Sequence, residues 1–162
     1  MDGVRAYWEG TKMVSRHGKK VNLPQTYTSA LPHKTQLDGE LWMGRGTFEV
    51  LLGILKSKNE EESKWKQIGY YVFDLPSSVA PYEQRLVELN QLKLPPQVHI
   101  VESIRCKGME HSNFYLEQII EEGGEGLMAR EPGSLYTIGL SARSLLKVKV
   151  SSPAARITMS AI

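Results

Sequence analysis

From Val4 to Trp8 the chain alternates, with Val4, Ala6 and Trp8 on one face and Arg5 and Tyr7 on the other, which predicts a strand. Glu9-Gly10 is a turn signal. Met13 to Arg16 then reads as the returning strand of a hairpin, followed by a second turn at His17-Gly18-Lys19-Lys20. Leu23 to Lys34, with Pro24 and Pro32, reads as loop, and Leu37 to Trp42 as a further strand region. Phe48, Leu51, Leu52 and Leu55 recur at i, i+3, i+4 and i+7, the stripe of an amphipathic helix. Lys56 to Lys66 is polar and reads as a solvated loop or frayed helix end. Ile68 to Phe73 is rich in aromatic and β-branched residues and predicts a strand. Tyr82 to Leu92, behind Pro81, predicts a helix, and Pro95-Pro96 closes that connection. Val98 to Ile104 reads as a strand, and Asn113 to Glu122 as a helix with Ser112 as N-cap and Gly123 as its stop. Gly126 to Arg130 and Leu145 to Val150 are the last two strands. Ser151 to Ile162 shows no pattern and is expected to be loose. Strands and helices are interspersed, with hairpin-like as well as crossover-like connections, which argues for an α+β domain of largely antiparallel sheets.

With 162 residues the chain suits one domain or a piece of one. Apolar residues at 41% are enough for a core, and charged residues at 23% do not point to disorder. A net charge of +2 is compatible with contact to nucleic acid without suggesting it. Cys106 is the one cysteine, so a disulfide framework and a zinc cluster are excluded within the chain. It reads as a structural residue near a strand end. His17, His33, His99 and His111 have no metal-ligand spacing, and Ser15, Ser112 and Cys106 have no base arrangement suited to nucleophilic catalysis. No apolar run is long enough to span a membrane, and Met1 to Arg5 lacks the features of a signal peptide. A soluble, intracellular protein is expected.

Several residues carry chemistry. Lys147 and Lys149 are two apart on a strand and share a face, with Val148 turned into packing. Two ammonium groups on one face suit the charge on a phosphate in transit, although such a pair alone is more often a solvated strand face. Glu40 and Glu125 stand in otherwise apolar strand segments, where a rim carboxylate is the commoner fate. Phe73 closes a buried strand, where a core aromatic is usual. Arg5 and Arg16 offer guanidinium forks that suit phosphate geometry. Asp2-Gly3 forms a turn in which a glycine lets backbone approach a ligand closely.

In order along the chain, Asp2-Gly3-Val4-Arg5, Leu37-Asp38-Gly39-Glu40-Leu41, Tyr71-Val72-Phe73-Asp74, Glu125-Gly126-Leu127-Met128 and Leu146-Lys147-Val148-Lys149 resemble motifs I, III, IIIa, IV and V of the covalent nucleotidyltransferases. Gly3-Val4-Arg5-Ala6-Tyr7-Trp8, Ser15-Arg16, Leu41-Trp42-Met43-Gly44-Arg45-Gly46 with Phe48, and Phe73-Asp74-Leu75-Pro76 narrow the resemblance to the small ATP-dependent DNA ligases of bacterial and viral type. The resemblance implies an ATP-grasp-like nucleotidyltransferase domain of largely antiparallel sheets flanked by helices. It implies nick sealing through a lysyl-AMP intermediate, with ATP and Mg2+ (or Mn2+) as cofactors. Asp2, Gly3, Arg5, Glu40, Phe73, Glu125, Lys147 and Lys149 are then nucleotide-binding residues. Lys147 and Lys149 act on the α-phosphate, Glu40 and Glu125 serve the ribose and the metal, Phe73 stacks on adenine, and Arg16 recognises the 5′-phosphate of the nick. The implied partners are ATP or AMP and nicked double-stranded DNA, with no membrane and a monomeric chain.

Two departures qualify that expectation. The motif I lysine falls one position before Met1, so the chain alone is expected not to self-adenylate. Residues 151–162 are too few for the OB-fold that follows motif V in the family, so a weak grip on nicks is expected. The organisation expected is thus a partial adenylation domain over residues 1–150, truncated at both ends, and an irregular tail over 151–162. A non-catalytic nucleotide- or nick-binding pseudo-ligase, or a truncated gene product, is the alternative. An RNA ligase or capping guanylyltransferase is a further one, disfavoured by the Gly-Val-Arg-Ala-Tyr-Trp and Gly-Arg-Gly segments.

Overall fold

The computed structural model describes residues 1–57, 61–138 and 144–150, and the backbone of 157–161. The first sheet has five strands: β1 (Val4–Trp8), β2 (Met13–Ser15), β3 (Leu37–Trp42), β4 (Gly69–Asp74) and β5 (Val98–Ile100), in the order β2-β1-β3-β4-β5. Its pairings are antiparallel except for β4 with β5. The second sheet has three antiparallel strands in sequence order, β6 (Leu127–Arg130), β7 (Leu145–Val150) and β8 (Ile157–Ala161). Helices α1 (Gln25–Thr28), α2 (Phe48–Lys56), α3 (Glu62–Trp65), α4 (Tyr82–Gln91) and α5 (Met109–Glu121) fill the connections. The α+β expectation with largely antiparallel sheets is met.

The core lies on one face of the five-stranded sheet. Ala6 and Trp8 of β1, Leu37 and Leu41 of β3, and Tyr70 and Val72 of β4 are buried there, and Leu51 and Ile54 of α2 and Leu89 of α4 join the same cluster. Burial of each large apolar side chain contributes about 1.5–3 kcal/mol. The Tyr70 hydroxyl crosses the sheet and lies 3.0 Å from the Ala6 carbonyl and 2.9 Å from that of Leu37, so its polar end is satisfied. The crossing needs Gly39 beside it. A Cβ on Gly39 would sit 2.8 Å from the Tyr70 ring and 2.5 Å from the Tyr71 carbonyl. The β3–β4 register also shifts between Asp38 and Gly39. Because strand side chains alternate, a core on one face leaves Arg5, Tyr7, Asp38, Glu40, Tyr71 and Phe73 on the other.

Some local expectations are corrected. The Leu23–Lys34 loop contains α1, whose Tyr27 is buried and donates its hydroxyl to the Ile68 carbonyl at 3.0 Å. Within the polar Lys56–Lys66 stretch, α3 turns Trp65 inward to 6% exposure. One buried tryptophan outweighs the polarity of its neighbours. β5 ends at Ile100, not Ile104. After the Val101 N–H bond to the Val72 carbonyl at 2.8 Å the run Glu102–Cys106 has no buried face. Cys106 is accordingly exposed, outside any strand. Helix α5 starts a turn earlier than expected, at Met109 behind Gly108. Ser112 is therefore no N-cap. Its N–H bonds the Gly108 carbonyl at 3.1 Å inside the first turn, while Gly123, at φ 77°, does end the helix. The tail expected to be irregular carries β8, which pairs with β7 from Val150 back to Leu146.

Candidate active site

β1, β3 and β4 bring the polar face together by register alone. Arg5 lies opposite Glu40, Tyr7 opposite Asp38, and Glu40 opposite Tyr71. Arg5 reaches along the strand to Asp38, donating from Nε to Oδ1 at 3.1 Å and from Nη2 to Oδ2 at 2.7 Å. This bidentate pair also places the guanidinium carbon 5.3 Å from the centre of the Phe73 ring. Asp38 is only 2% exposed, and its carboxylate is further bound by the Tyr136 hydroxyl at 2.8 Å. Burial lowers the Arg5 pKa, but the bonds and charge of Asp38 raise it further, for a net rise.

Glu40 does not pair with Arg5. Its Oε1 accepts the Gly3 N–H at 2.7 Å. A side chain on Gly3 would run into both the Glu40 side chain and the Leu41 carbonyl, so the Asp2-Gly3 turn needs a glycine to close over β3. Burial pushes the Glu40 carboxyl up, and the Gly3 N–H only partly offsets it. Asp2 is exposed beside this turn.

The second sheet supplies the other wall. Lys147 and Lys149 project from one face of β7 and converge on one oxygen of Glu125, at 2.9 and 3.3 Å, while Val148 between them is 1% exposed. Gly126 takes φ 146° and passes so close to β7 that a Cβ would collide with the Val148 carbonyl. That close approach delivers Glu125 to the two lysines. Hydrogen bonds from Lys147 and Lys149 hold the Glu125 carboxyl below the usual range, and the Glu125 bond holds Lys147 above its own. The Glu40 charge makes a small further contribution in the same direction on Lys147.

The walls are joined behind the site by buried charge. Asp74, 1% exposed at the end of β4, accepts from Arg85 Nε at 2.6 Å and Nη2 at 3.1 Å, and from its own neighbour, the Leu75 N–H, at 2.8 Å. Arg130 of β6 reaches the same carboxylate at 3.1 Å across the two sheets. Arg85 is itself 0% exposed, and its remaining nitrogen bonds the carbonyls of Ala80 at 2.7 Å and Ser134 at 2.9 Å. Each nitrogen of the Arg85 guanidinium thus has a partner, the condition for burying its charge.

Of the residues expected from the sequence, Gly3, Arg5, Glu40 and Phe73 share the face of the first sheet, and Glu125, Lys147 and Lys149 form the cluster on the second. Arg16 stands apart, exposed in the β2 turn and with no ion-pair partner among the described residues. Glu40 and Glu125 are engaged by a backbone N–H and by two ammonium groups. No group of three or more His, Cys, Asp or Glu suited to a metal occurs among the described residues. A cavity of about 520 Å3 lies at the Trp42–Gly69 end of the first sheet, lined by Tyr71, His99, Trp65 and Lys66 among others, and none of the expected residues lines it. The candidate site is therefore marked by the geometry of its charged groups and not by this cavity. The sequence reading missed Asp38, Asp74, Arg85, Arg130 and Tyr136 as a supporting network. The legible signal was the two aspartates inside otherwise apolar strands.

The family model described as ATP dependent DNA ligase domain matches residues 1–149. A DNA ligase of Haemophilus influenzae is 32% identical over 154 residues, which is 93% of this chain and 56% of that protein. The chain thus spans just over half the length of this relative. A solved structure from a study of DNA binding with a minimal scaffold in Lig E DNA ligases superposes with a TM-score of 0.82 at 31% identity, covering 99% of this chain and 71% of the other. A second, named Pmar-Lig_Pre, gives a TM-score of 0.71 at 22% identity over 92% of this chain and 40% of its own, and shares the fold. No helix among the described residues is long and apolar enough to cross a membrane. The family model, the two-sheet fold and the relatives agree, and the chain belongs to the ATP-dependent DNA ligase domain family.

Proposed function

We propose that this chain holds the adenine nucleotide for a ligase that seals nicked double-stranded DNA through a lysyl-AMP intermediate. The observation that carries this reading is the convergence of Lys147 and Lys149 on Glu125 at 2.9 and 3.3 Å, in a chain whose first sheet sets Arg5 against the Phe73 ring. The base stacks on Phe73, in the order expected of an aromatic that is half-exposed beside a guanidinium. The second oxygen of Glu40, which has no hydrogen bond among the described residues, serves the ribose. Lys147 and Lys149 turn from Glu125 to the α-phosphate, where a carboxylate is replaced by a phosphate oxygen of the same charge sign.

The covalent step forms a phosphorus–nitrogen bond between a lysine amine and the α-phosphate and expels pyrophosphate. AMP then passes to the 5′-phosphate of the nick, and the 3′-hydroxyl displaces it to close the strand. In the family the nucleophile precedes the Asp2-Gly3 turn. This chain's own groups supply the electrostatic part, since charge grows on the α-phosphate oxygens in each transfer and preorganised ammonium groups stabilise it. Arg16, free of any acid among the described residues, is suited to the 5′-phosphate. A divalent ion such as Mg2+ or Mn2+ would be carried mainly by the nucleotide's phosphates. Glu40, held by the Gly3 N–H and not by a lysine as Glu125 is, is suited to serve it, since Mg2+ favours few carboxylates with phosphate oxygens.

The test is AMP binding by calorimetry to the chain as given, with Glu40→Ala, Lys147→Ala and Lys19→Ala. Loss in the first two and retention in the third supports the reading. Equal losses in all three would indicate a nonspecific charge effect. A second arm adds a lysine and a preceding strand ahead of Asp2 and follows radiolabel from ATP. Label on the extended chain supports the lysyl-AMP route, whereas AMP binding without label favours a nucleotide-binding pseudo-ligase.

A further inference from the structure

We propose that Tyr136 is a positioning residue that holds Arg5 at the nucleotide face, acting through Asp38. The inference rests on the nucleotide reading above. Tyr136 lies in the connection between β6 and β7, outside every motif quoted from the sequence, 98 positions from Asp38. Its hydroxyl donates to Asp38 Oδ2 at 2.8 Å, and the same oxygen accepts Arg5 Nη2 at 2.7 Å. Asp38 Oδ1 takes Arg5 Nε at 3.1 Å.

A carboxylate bound by one guanidinium fork alone can still rock about its Cβ–Cγ bond and carry the fork with it. A third donor from a different direction fixes that rotation, as an orienting group fixes a catalytic imidazole in a triad. The orientation matters because Arg5 is 41% exposed at its side chain and, among the described residues, is held by the two Asp38 bonds, the Phe73 ring and the neighbouring Tyr136 hydroxyl. If Asp38 turns, the guanidinium leaves its station beside Phe73.

The connection that carries Tyr136 is itself held down. The Ser134 carbonyl accepts from Arg85 Nη1 at 2.9 Å and from the Tyr82 N–H at 3.0 Å. The Gly133 N–H bonds the Glu83 carboxylate in the first turn of α4 at 3.1 Å. Arg85 lies 5.9 Å from the Tyr136 ring centre and pairs with Asp74 behind the site. Tyr136 therefore stands between two carboxylate–guanidinium pairs. It lies between Arg5 and the buried Arg85–Asp74 pair that fixes α4 to β4.

Tyr136→Phe keeps the ring and removes the donor. We expect AMP to bind about three- to tenfold more weakly to this variant, and the additional loss to shrink below about twofold when Arg5 is already alanine. An independent readout is the nitrogen-15 Nε–H signal of Arg5 near neutral pH, which does not require nucleotide. In the unchanged protein it should be sharp and displaced from the free arginine position, and in Tyr136→Phe it should move toward that position or exchange away. Thermal denaturation checks that the variant is folded. Should it not fold, fluorotyrosine at position 136 gives a fluorine signal that must shift on Arg5→Ala if the coupling is real. An unchanged Arg5 signal in folded Tyr136→Phe, losses that multiply in the double variant, or an unmoved fluorine signal would overturn the inference. If the unchanged chain binds no AMP, the nucleotide reading falls, and the Arg5 and fluorine signals still decide whether Tyr136 positions Arg5.

Discussion

Asp38 holds the Arg5 guanidinium by both oxygens although the residue directly across the strand from Arg5 is Glu40. The diagonal choice leaves Glu40 to close the Asp2-Gly3 turn and keeps two acids in separate roles. A lysine in place of Arg5 could keep one bond to Asp38 but not the fork, nor the guanidinium contact with the Phe73 ring. Arg5→Lys should weaken AMP about tenfold, a loss of about 1.4 kcal/mol in binding, with little change in the thermal midpoint. Titration calorimetry on AMP checks it, and an unchanged Kd would show that charge alone, not the fork, is used.

Glu40 should cost the fold stability at neutral pH. Burial raises its carboxyl pKa, so the folded state favours the protonated form more than the unfolded chain does. The sign follows from linkage. A group with a raised folded pKa contributes stability below its unfolded value, near 4.5, and loses it as pH rises through the folded value. Glu40→Gln, whose amide oxygen can still accept the Gly3 N–H, should raise the melting temperature at pH 7 and leave it little changed at pH 4. AMP affinity should fall in the same variant. Equal melting shifts at both pH values would argue that Glu40 carries no ionisation cost.

The strands that hold the site were legible because their period is two and their cores are apolar. Val4–Trp8 forms where alternation placed it, and Leu37–Trp42 and Leu145–Val150 form at the bounds expected of them. The pairing of Lys147 with Lys149 on one face follows from the same rule, and so does the grouping of Arg5 with Glu40 once β1 and β3 are adjacent. Partners across long sequence distance were not legible. Period tells which face a residue takes and not which residue meets it. Arg85 reads as an ordinary helix-surface arginine until α4 packs on β4, and Tyr136 reads as loop until Ser134 and Gly133 are tied to α4. Trp65 was hidden for a related reason, since a single aromatic in a polar run sets no periodicity.

The buried acid Asp74 should be the most sensitive polar residue in the domain. Removing Arg85 leaves Asp74 with Arg130, and removing Arg130 leaves it with Arg85. Removing the Asp74 charge leaves two guanidinium groups without their acid, one of them fully buried. Breaking a buried pair in this way costs about 3–5 kcal/mol. Asp74→Asn should therefore lower the urea midpoint most, Arg85→Met less, and Arg130→Ala least. A reversed order would mean that the inter-sheet bond of Arg130, not the buried Arg85 pair, contributes most to stability.

Arg16 offers a separation of the two binding events. It lies in an exposed turn, pairs with no acid among the described residues, and belongs to the opposite edge of the first sheet from β4 and its Phe73. Its bond to a phosphate would release counterions and depend on salt, whereas AMP held by Lys147, Lys149 and Phe73 does not involve it. Arg16→Ala should leave the AMP Kd unchanged and weaken nicked DNA, with the slope of log K against log salt falling by roughly one unit. The comparison is made by anisotropy on labelled duplexes, one carrying a 5′-phosphate at the nick and one lacking it. Arg16→Ala should erase the preference between them. If both duplexes weaken together while the preference survives, Arg16 is a general backbone contact, and the 5′-phosphate is read by another group.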